Sequence, residues 1–418
     1  MTDRRKRIVV VGAGWDQTPI IQEAKAQGYY VVALDGDAEA YGLQFADKAL
    51  SVSTRDMEGV LAVARSERAD ALTYMITESP LRSVRYAADA LGLPAPSHLA
   101  VEATVSKPRM REIFAAAGIR NPGYAKASSL PVALDRARDL GFPLVLKSAD
   151  VGGQLGLHVL HSLEDLERSF DDAQASSYGG EVILEQLLMG PEVNVVAIVL
   201  DGQIQEMTIS DRIKDEHKGF GVVMRHLYPA DCTATVADQI TDVCQRSVRA
   251  MELKDGIIFP QLIVSDEGPV IVETGVRIPG GVMKELFEYA TGYNLVKVQL
   301  DISLGCFGEL SQYRLAEPHE AVTVKFINGD PGPLRPGKVS GVLGRDDALS
   351  VAGVVEAQYY NDPTRPQEVR PLVNGRDRFY YVIAVGTSRE QVVESSDRAT
   401  SLLDIVSETG ESLKIRAY

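Results

Sequence analysis

The sequence predicts an α/β fold in which an N-terminal parallel-sheet domain is followed by lobes that mix helices and strands. Residues 7–35 predict the parallel sheet, because they read as a buried strand, a glycine turn, a helix and a second strand ending at Asp35. Apolar strand-like runs and helical stretches then alternate along a chain of 418 residues. At about 100 to 200 residues per domain, this length predicts several domains rather than one core.

The composition narrows the class of function. Hydrophobic residues make up 45% and charged residues 24% of the chain, as in soluble globular proteins, and the net charge of -15 argues against a nucleic-acid partner. Cys232, Cys244 and Cys306 are widely spaced and form no zinc pattern, so we expect a reduced, cytoplasmic location. The apolar run Ile8–Val11 is too short for a secretion signal, and we expect no membrane segment.

The first glycine turn partly matches a dinucleotide-binding fingerprint. Gly12 and Gly14 fit that motif, and Asp35 stands where an acid would meet a ribose. Gln17, however, occupies the position of the third glycine, so we favour a structural Rossmann-like domain over a nicotinamide or flavin site. The elements that complete this domain are a helix near 56–66, a strand at 71–76 and a helix at 80–91.

Two lysines stand near a glycine-rich loop in the next part of the chain. Lys107 begins a helix, where a lysine is usually a solvated charge, and Lys147 ends an apolar strand. Gly152 and Gly153 follow Lys147 in a loop. Backbone N–H groups of such a loop and a lysine ammonium suit phosphate binding. A plain hairpin turn explains the same residues equally well.

Two acidic residues flank the joint between the next two strand-like runs. Glu185 precedes Gly190-Pro191, and Glu192 follows it. An acid beside a backbone hinge can accept a hydrogen bond from an adenine amino group, and a second acid can accept from ribose hydroxyls. The alternative is that both are charges of an edge strand.

Residues 256–281 predict a hairpin with a glycine-rich exit. Gln261 interrupts its first apolar run, Glu273 closes the second, and Arg277 follows four residues later. A carboxylate and an amide carbonyl are hard oxygen ligands of the kind that Mg²⁺ takes, and an arginine can clamp a phosphoryl or carboxylate group. The alternative is a surface hairpin with a solvated salt bridge between Glu273 and Arg277.

These motifs, in this order, closely resemble the ATP-grasp superfamily. The resemblance covers Val105 to about Gly281 and extends more loosely to both termini. It rests on Lys107 before a helix, FPLVLK ending at Lys147, the loop ADVGGQLG, the hinge LEQLLMGPE, and the pair IIFPQLIV and IVETGVRIPGG. It implies a Rossmann-like domain at 1–104, an ATP-grasp domain at 105–316 with a flexible lid lobe at about 120–188, and a C-terminal lobe at 317–418.

The resemblance also implies a role for each matching residue. ATP would be bound by Lys107 and Lys147 at the phosphates, by Gly152, Gly153 and Gln154 of the lid, by Glu185 and the Leu187 backbone at adenine, and by Glu192 at the ribose. Gln261 and Glu273 would hold Mg²⁺, or Mn²⁺ as an alternative. Arg277 would face the transferring phosphate and acyl group, which makes Arg277 and Glu273 the expected catalytic residues.

One departure from the family pattern concerns the metal site. Gly275 stands where the family commonly has an asparagine, and Gln261 replaces the commoner acid. The protein therefore brings less negative charge to the metals than the family usually does. Either a second metal is held mainly by phosphates and water, or it binds weakly.

The remaining chain resembles amino-acid ligases and related carboxylate-amine ligases. Arg225 and His226 lie in a segment similar to the one that precedes their substrate pocket, although His226 also fits an ordinary strand-end residue. We expect both on the substrate side, with Gly275, Gly280 and Gly281. In the C-terminal lobe, 321–327 and 379–385 predict strands, and 388–406 predicts a helix.

The expected function is an ATP-dependent ligase that joins a carboxylate to an amine, most simply two amino acids. The reaction would pass through an acyl phosphate and release ADP and phosphate. The alternatives are an ATP-grasp ligase or carboxylase of nucleotide or bicarbonate metabolism, and a degenerate ATP-binding regulatory module. The expected partners are small carboxylates and amines, and a homodimer is left open.

Overall fold

The computed structural model describes residues 5–153, 155–214 and 222–415. Its strands form four sheets, of which the first is parallel and the others contain antiparallel pairs. The predicted α/β class is therefore confirmed. No helix within the described ranges is long and apolar enough to cross a membrane.

The first domain contains a four-stranded parallel sheet in the order β3-β2-β1-β4. Its elements are β1 (Arg7–Val11), α1 (Thr18–Ala26), β2 (Tyr30–Asp35), β3 (Lys48–Ser51), α2 (Met57–Ser66), β4 (Ala71–Thr73), α3 (Leu81–Leu91) and α4 (His98–Val105). The apolar run of β1 is buried because the sheet is covered on both faces. The strand predicted at 71–76 ends at Thr73.

Gln17 fills the turn that follows β1. Its Nε2 donates to the Met75 carbonyl over 3.1 Å, and its Oε1 accepts from the Gly14 N–H over 2.8 Å. A Cβ placed on Gly12, whose φ is +107°, would lie 2.3 Å from Gln17 Nε2. The glutamine side chain thus fills the space over the glycine turn, in agreement with a structural domain.

The lid lobe is a separate four-stranded sheet in the order β5-β8-β6-β7, with its own apolar core. Helix α5 (Lys107–Ala116) precedes it. The lobe itself contains β5 (Tyr124–Ala127), α6 (Leu130–Leu140), β6 (Leu144–Ser148), β7 (His158–Leu160), α7 (Leu163–Ala175) and β8 (Val182–Gln186).

The largest sheet has the order β14-β13-β9-β10-β11-β15-β19-β17, with β12 also paired to β9. The first part of the chain that contributes to this sheet contains the strands β9 (Glu192–Leu200), β10 (Gln203–Lys214), β11 (Val223–Tyr228), β12 (Gly256–Ile258), β13 (Gln261–Ser265) and β14 (Gly268–Glu273). The helices of the same part are α8 (Ala234–Ala250), α9 (Met283–Thr291) and α10 (Leu295–Ser303). The hairpin predicted at 256–281 is β13 and β14.

The C-terminal lobe shares this sheet and adds a small one of its own. Its elements are β15 (Ala321–Ile327), β16 (Gly337–Leu343), α11 (Arg345–Leu349), β17 (Val354–Tyr359), β18 (Gln367–Val369), β19 (Tyr380–Gly386), α12 (Arg389–Leu402) and β20 (Asp404–Ser407). Strands β18, β16 and β20 form the small sheet, whereas β15 pairs with β11 of the preceding domain. The boundary predicted at 316/317 therefore lies within the span of one sheet.

The helix predicted at 388–406 is too long. Helix α12 ends at Leu402, and β20 pairs with β16. Leu403 and Ile405 are buried, so their apolar side chains join the core as part of this strand connection. Tertiary pairing has overridden the helical pattern here.

Gly190 joins the lid lobe to the large sheet and packs directly on β13. Its φ is +141°, and a Cβ there would lie 2.0 Å from the Val264 carbonyl oxygen. The next residue, Pro191, accepts a hydrogen bond from the Val264 N–H over 2.9 Å. The joint therefore requires glycine for two reasons, its backbone conformation and the close approach of a neighbouring strand.

We predict that Gly190→Ala destabilises the protein more than Gly268→Ala. Both glycines have positive φ, +141° and +108°, which costs roughly 1 to 3 kcal/mol for an alanine, but a Cβ on Gly268 would meet nothing within 4 Å. Gly268→Ala therefore isolates the cost of backbone conformation, and the excess for Gly190→Ala measures the clash with Val264. Urea unfolding gives both values, and equal losses would show that the backbone absorbs the contact.

Candidate active site

A cleft of about 730 Å³ lies between the lid lobe and the large sheet. It brings together predicted site residues from six elements and the glycine loop, namely Lys107, Lys147, Gly152, Glu185, Glu192, Gln261 and Glu273. Leu187 is absent from the lining within the described residues, although its neighbours Gln186 and Leu188 are present. The Leu187 N–H donates to the Pro143 carbonyl over 3.1 Å. Gln154 lies outside the described residues.

The β13-β14 hairpin places Gln261 and Glu273 side by side. The two residues are direct partners in the antiparallel register. Gln261 Oε1 accepts from Arg212 Nη1 over 2.6 Å, and Glu273 Oε1 lies 3.8 Å from Lys107 Nζ. The alternative of a solvated pair between Glu273 and Arg277 is not what the fold forms, because Arg277 pairs with Glu78 instead.

The residues present fit a divalent cation that also contacts a bound phosphate. Glu273 supplies a carboxylate that is one-third exposed to the cleft, and Gln261 supplies an amide oxygen. Among the described residues, no group of three or more His, Cys, Asp or Glu side chains could hold a metal alone. Mg²⁺ commonly takes one or two protein carboxylates and completes its shell with water and substrate phosphates. Gln261 and Glu273 would hold such an ion.

Arg277 is fixed by a carboxylate from the first domain. Its Nε donates to Glu78 Oε1 over 2.9 Å, and its Nη2 also contacts that oxygen. Its Nη1 is buried and has no hydrogen-bond partner in the described part of the chain. A Cβ on Gly275 would lie 3.6 Å from Arg277 Cζ, so the glycine leaves the flank of the guanidinium open.

Glu78 was missed by sequence reasoning. It follows β4 at the carboxyl end of a parallel strand, where ligand sites of such sheets gather, and that position was the available signal. Gly152 belongs to the loop with the sequence ADVGGQLG, which we call the lid loop. A Cβ on Gly152 would lie 3.2 Å from Glu273 Oε1 and 3.7 Å from Glu78 Oε2. The two carboxylates and the glycine loop thus converge on one point of the site.

Glu185 is the centre of a buried ion cluster. Its Oε1 accepts from Arg111 Nε over 2.7 Å and its Oε2 lies 2.6 Å from Lys147 Nζ. Burial alone would raise the pKa of Glu185, but the charges and hydrogen bonds of Arg111 and Lys147 outweigh it and lower the pKa to about 2. Both carboxylate oxygens are therefore engaged by cations, and the contact with adenine stays a prediction.

Arg111 was also missed, although its position in helix α5 carried a signal. It has no exposed side-chain surface and lies three residues before the buried Phe114, on the helix face that packs inward. Its Nη1 donates to the Ile271 carbonyl over 2.6 Å, and its Nη2 to the Val272 carbonyl over 3.2 Å. A charge at a buried helical position is rare unless it is paired.

Glu192 sits between two cations of β10. Lys214 Nζ contacts its Oε1, and Arg212 Nη1 lies 3.3 Å from its Oε2. Burial lowers the pKa of Lys214, and Glu192 partly offsets that effect. Ile213 between the two cations is 41% exposed. The charged residues of this part of β10 therefore face inward and the apolar residue faces outward, the reverse of the usual pattern. Two charges on alternate positions of an apolar strand could have indicated from the sequence that they face a binding site.

The lid loop lies against the start of helix α5. Lys107 Nζ donates to the Val151 carbonyl over 2.7 Å, and the Lys107 N–H donates to the Ala149 carbonyl over 2.8 Å. Gly153, with φ of +78°, follows Gly152 in that loop. The structure therefore places Lys107 and the two glycines of the predicted phosphate lid next to each other.

The two predicted substrate residues of β11 point in opposite directions. Arg225 donates to Ser396 Oγ over 3.0 Å and pairs with Asp397 of α12, so it faces away from the cleft. His226 is buried, and its Nδ1 lies 3.1 Å from Asn194 Nδ2. Successive residues of a strand alternate between its faces, so a single pocket cannot take both. Burial first, and then the charges of nearby arginines, lower the pKa of His226 well below its usual value.

The glycine exit after β14 is attached to the first domain. The Ile76 N–H donates to the Ile278 carbonyl over 3.0 Å, and a Cβ on Gly280 would lie 3.2 Å from Ile76 Cγ2. Gly281 has φ of +70°, and its Cβ position lies 3.2 Å from Arg378 Nη1. Arg378 comes from the C-terminal lobe and was not predicted as a site residue.

Two parts of the chain match models of known families. Residues 105–280 match the phosphoribosylglycinamide synthetase ATP-grasp (A) domain. Residues 333–408 match L-amino acid ligase C-terminal domain 2. The first match covers the lid lobe and the β13-β14 hairpin, and the second covers most of the C-terminal lobe.

Comparisons with a curated relative and with solved structures cover more of the chain. The uncharacterized protein y4rH of Sinorhizobium fredii is 27% identical over 319 residues, which cover 75% of this chain and 63% of that relative, less than two thirds of its length. An L-amino acid ligase from Bacillus licheniformis superposes with a TM-score of 0.78 at 19% identity, covering 97% of this chain and 100% of that one. Phosphoribosylglycinamide synthetase from Anaerococcus prevotii gives 0.76 at 16% identity, over 97% and 100%.

At these identities the two solved structures show the shared fold alone, whereas the family models identify the domains. Members of the ATP-grasp superfamily are ATP-dependent, ADP-forming ligases. The chain therefore contains an ATP-grasp domain at residues 105–280 and, at residues 333–408, an L-amino acid ligase C-terminal domain.

Proposed function

We propose that the protein is an ATP-dependent carboxylate-amine ligase that joins two amino acids through an amide bond. The observation that carries the amino-acid assignment is the match of residues 333–408 to the L-amino acid ligase C-terminal domain. The cleft supports the ligase chemistry, because Lys107, Lys147 and Glu273 meet there with the glycine loop. The proposed substrates are small carboxylates and amines.

ATP would bind with its phosphates between the lid loop and the two lysines. Lys147 is held by Glu185, so its ammonium has a fixed position and needs little ordering when a phosphate arrives. Lys107 is held by the Val151 carbonyl at the base of the same loop. Glu192 would meet the ribose, as predicted, while Lys214 and Arg212 add positive charge on that side.

The proposed reaction has two steps. A carboxylate oxygen attacks the γ-phosphorus and ADP leaves, which gives an acyl phosphate. The neutral amine then attacks the acyl carbon, the C–O bond to phosphate breaks, and the nitrogen releases a proton to the departing phosphate or to water. Negative charge develops first on the transferring phosphoryl group and then on the acyl oxygen. Arg277 Nη1, which is buried and has no hydrogen-bond partner among the described residues, would donate to this charge, and Glu78 keeps the guanidinium in place. Mg²⁺, held by Glu273 and Gln261, would neutralise phosphate charge.

The second candidate is a ligase of nucleotide metabolism. It is favoured by the match of residues 105–280 to a phosphoribosylglycinamide synthetase domain. A carboxylase of bicarbonate metabolism and a degenerate regulatory module are further alternatives. The cytoplasmic location, the homodimer, and Mn²⁺ in place of Mg²⁺ remain predictions.

The function is tested by the products of ATP consumption. With Mg²⁺ and pairs of L-amino acids, we expect ADP, phosphate and a dipeptide in equal amounts. Chromatography of the spent nucleotide and mass spectrometry of the product measure all three. AMP and pyrophosphate would exclude the acyl-phosphate route, and ADP formed only with a ribonucleotide amine or with bicarbonate would favour the alternatives.

A second prediction separates the roles of Glu273 and Arg277. Glu273→Gln should abolish turnover, because it removes the carboxylate next to Gln261 in the cleft. Arg277→Gln should lower kcat by about 10²- to 10³-fold with little change in the KM for ATP, the scale for loss of one charge-stabilising donor. The matched control is Arg335→Gln, because Arg335 pairs with Glu411 on the surface of the C-terminal lobe. A raised KM for ATP with unchanged kcat would place Arg277 in nucleotide binding instead.

A third prediction concerns the buried Glu185 cluster. The pKa of Glu185 in the folded protein is about 2, below its ordinary value of 4.5. Ionised Glu185 therefore stabilises the folded protein above pH 4.5, and this stabilisation is lost as the pH falls toward 2. Glu185→Gln should remove about 3 kcal/mol at neutral pH and flatten the dependence of stability on pH in that window. Denaturant unfolding between pH 3 and pH 7, with the exposed Glu164→Gln as control, measures it. An unchanged pH slope would contradict the assignment.

A further inference from the structure

A second cleft of about 1140 Å³ opens between the first domain and the C-terminal lobe. One wall is the turn after β1 with Gly14 and Trp15, and Tyr41 lies beside it. The opposite wall comes from 361–378 of the C-terminal lobe. Neither the nucleotide site nor the metal site described above uses this cleft.

Arg378 stands where the second cleft meets the glycine exit of the active site. It lines the cleft, and its Nη1 lies 3.2 Å from the Cβ position of Gly281. Its guanidinium carbon lies 4.2 Å from the ring centroid of Phe326 and 5.6 Å from that of Tyr360. The two rings hold the guanidinium through cation–π contacts, which leaves its hydrogen-bonding edge for a ligand.

Arg378 is a buried charge without a counter-ion in the described ranges. Only 8% of the residue is exposed, its Nε is buried without a hydrogen-bond partner, and no carboxylate pairs with it there. Tyr360 is its polar neighbour; burial raises the pKa of Tyr360, and a hydrogen bond with Arg378 partly opposes that rise. Burying an unpaired guanidinium is costly unless an anion completes the site.

The acids that line the second cleft contact groups other than Arg378; Asp37, for example, accepts from the Glu39 N–H over 2.9 Å. Asp35 accepts from the Ala13 N–H over 2.8 Å, and Asp377 accepts from the Asn374 N–H over 2.9 Å. Glu368 lies 2.8 Å from Arg370, and Asp362 accepts from the Thr364 N–H over 2.9 Å. Within the described ranges none of these carboxylates forms an ion pair with Arg378, so the guanidinium can take an anionic ligand.

We propose that Arg378 binds the carboxylate of the amine substrate and that the second cleft holds the rest of that molecule. This inference rests on the proposed function, since the amine partner of an amino-acid ligation keeps its own carboxylate throughout the reaction. Arg378 lies beside Gly281, so a ligand of Arg378 would be close to the glycine exit, the segment after β14 that also contains Arg277. A guanidinium recognises a carboxylate or a phosphate through two parallel hydrogen bonds, so a phosphate-bearing amine is the other source of the same chemistry.

Trp15 provides a direct readout, because it is the one tryptophan of the chain and it lines the second cleft. With MgADP present, we would titrate the full-length protein with L-amino acids, with their carboxamides and with inorganic phosphate, and follow tryptophan fluorescence. We expect the amino acids to bind at least 10-fold more tightly than their amides. Arg378→Gln should abolish this preference, and Arg378→Lys should restore part of it.

The controls keep the outcomes separate. Arg335→Gln should bind like the wild type, and circular dichroism shows whether Arg378→Gln is folded; if it is not, the Arg378→Lys titration decides. If phosphate bound more tightly than every amino acid, and if Arg378→Gln lost this binding, the ligand of Arg378 would not be a carboxylate. The result would indicate a phosphate-bearing amine as the substrate instead. If both Arg378 variants still bound amino acids more tightly than amides, the inference about Arg378 would be wrong, although the proposed peptide formation would be unaffected. Binding that depends on Arg378 without any amide product would support the site and reject the proposed function.

Discussion

One guanidinium joins the three parts that form the ATP-grasp cleft. Arg111, on helix α5, donates to Glu185 of the lid lobe and to the carbonyls of Ile271 and Val272 in β14. Glu185 in turn holds Lys147, so the position of Lys147, the proposed phosphate ligand, depends on the position of the β13-β14 hairpin, the proposed metal site. Glu185 is the one carboxylate between these two cations, so its loss would leave both Arg111 and Lys147 without their ion-pair partner in a buried place. The cluster therefore ties the geometry of the cleft to the stability of the fold.

The first domain contributes to the site through contacts that link distant parts of the chain. Tyr74 donates to the Val276 carbonyl over 3.0 Å, and Ile76 is bonded to Ile278. Glu78, two residues further on, orients Arg277. The domain with the parallel sheet, in which Gln17 stands where a dinucleotide site needs a glycine, thus supports Arg277, the arginine proposed to be catalytic.

The sequence predicts those site residues that belong to a recognisable local pattern. Lys147 ends an apolar strand before a glycine loop, and Gln261 and Glu273 interrupt a hairpin, so their places in the cleft were predictable from neighbouring residues. Glu78 and Arg378 could not be predicted in this way, because each reaches the site from another domain. Arg225 was predicted there from resemblance alone, and the alternation of β11 turns it toward α12. The same limit applies to the end of α12, where pairing with β16 decides the conformation.

The continuous large sheet has a consequence for how the protein folds. Because β15 pairs with β11, the C-terminal lobe covers backbone groups that would otherwise form the open edge of the ATP-grasp sheet. We therefore expect the two regions to unfold together as one cooperative unit. Removal of either region would expose a strand with unpaired backbone N–H and C=O groups to solvent. Arg378 stands two residues before β19 of this sheet, so the sheet that carries the ATP-grasp domain also sets the position of its backbone.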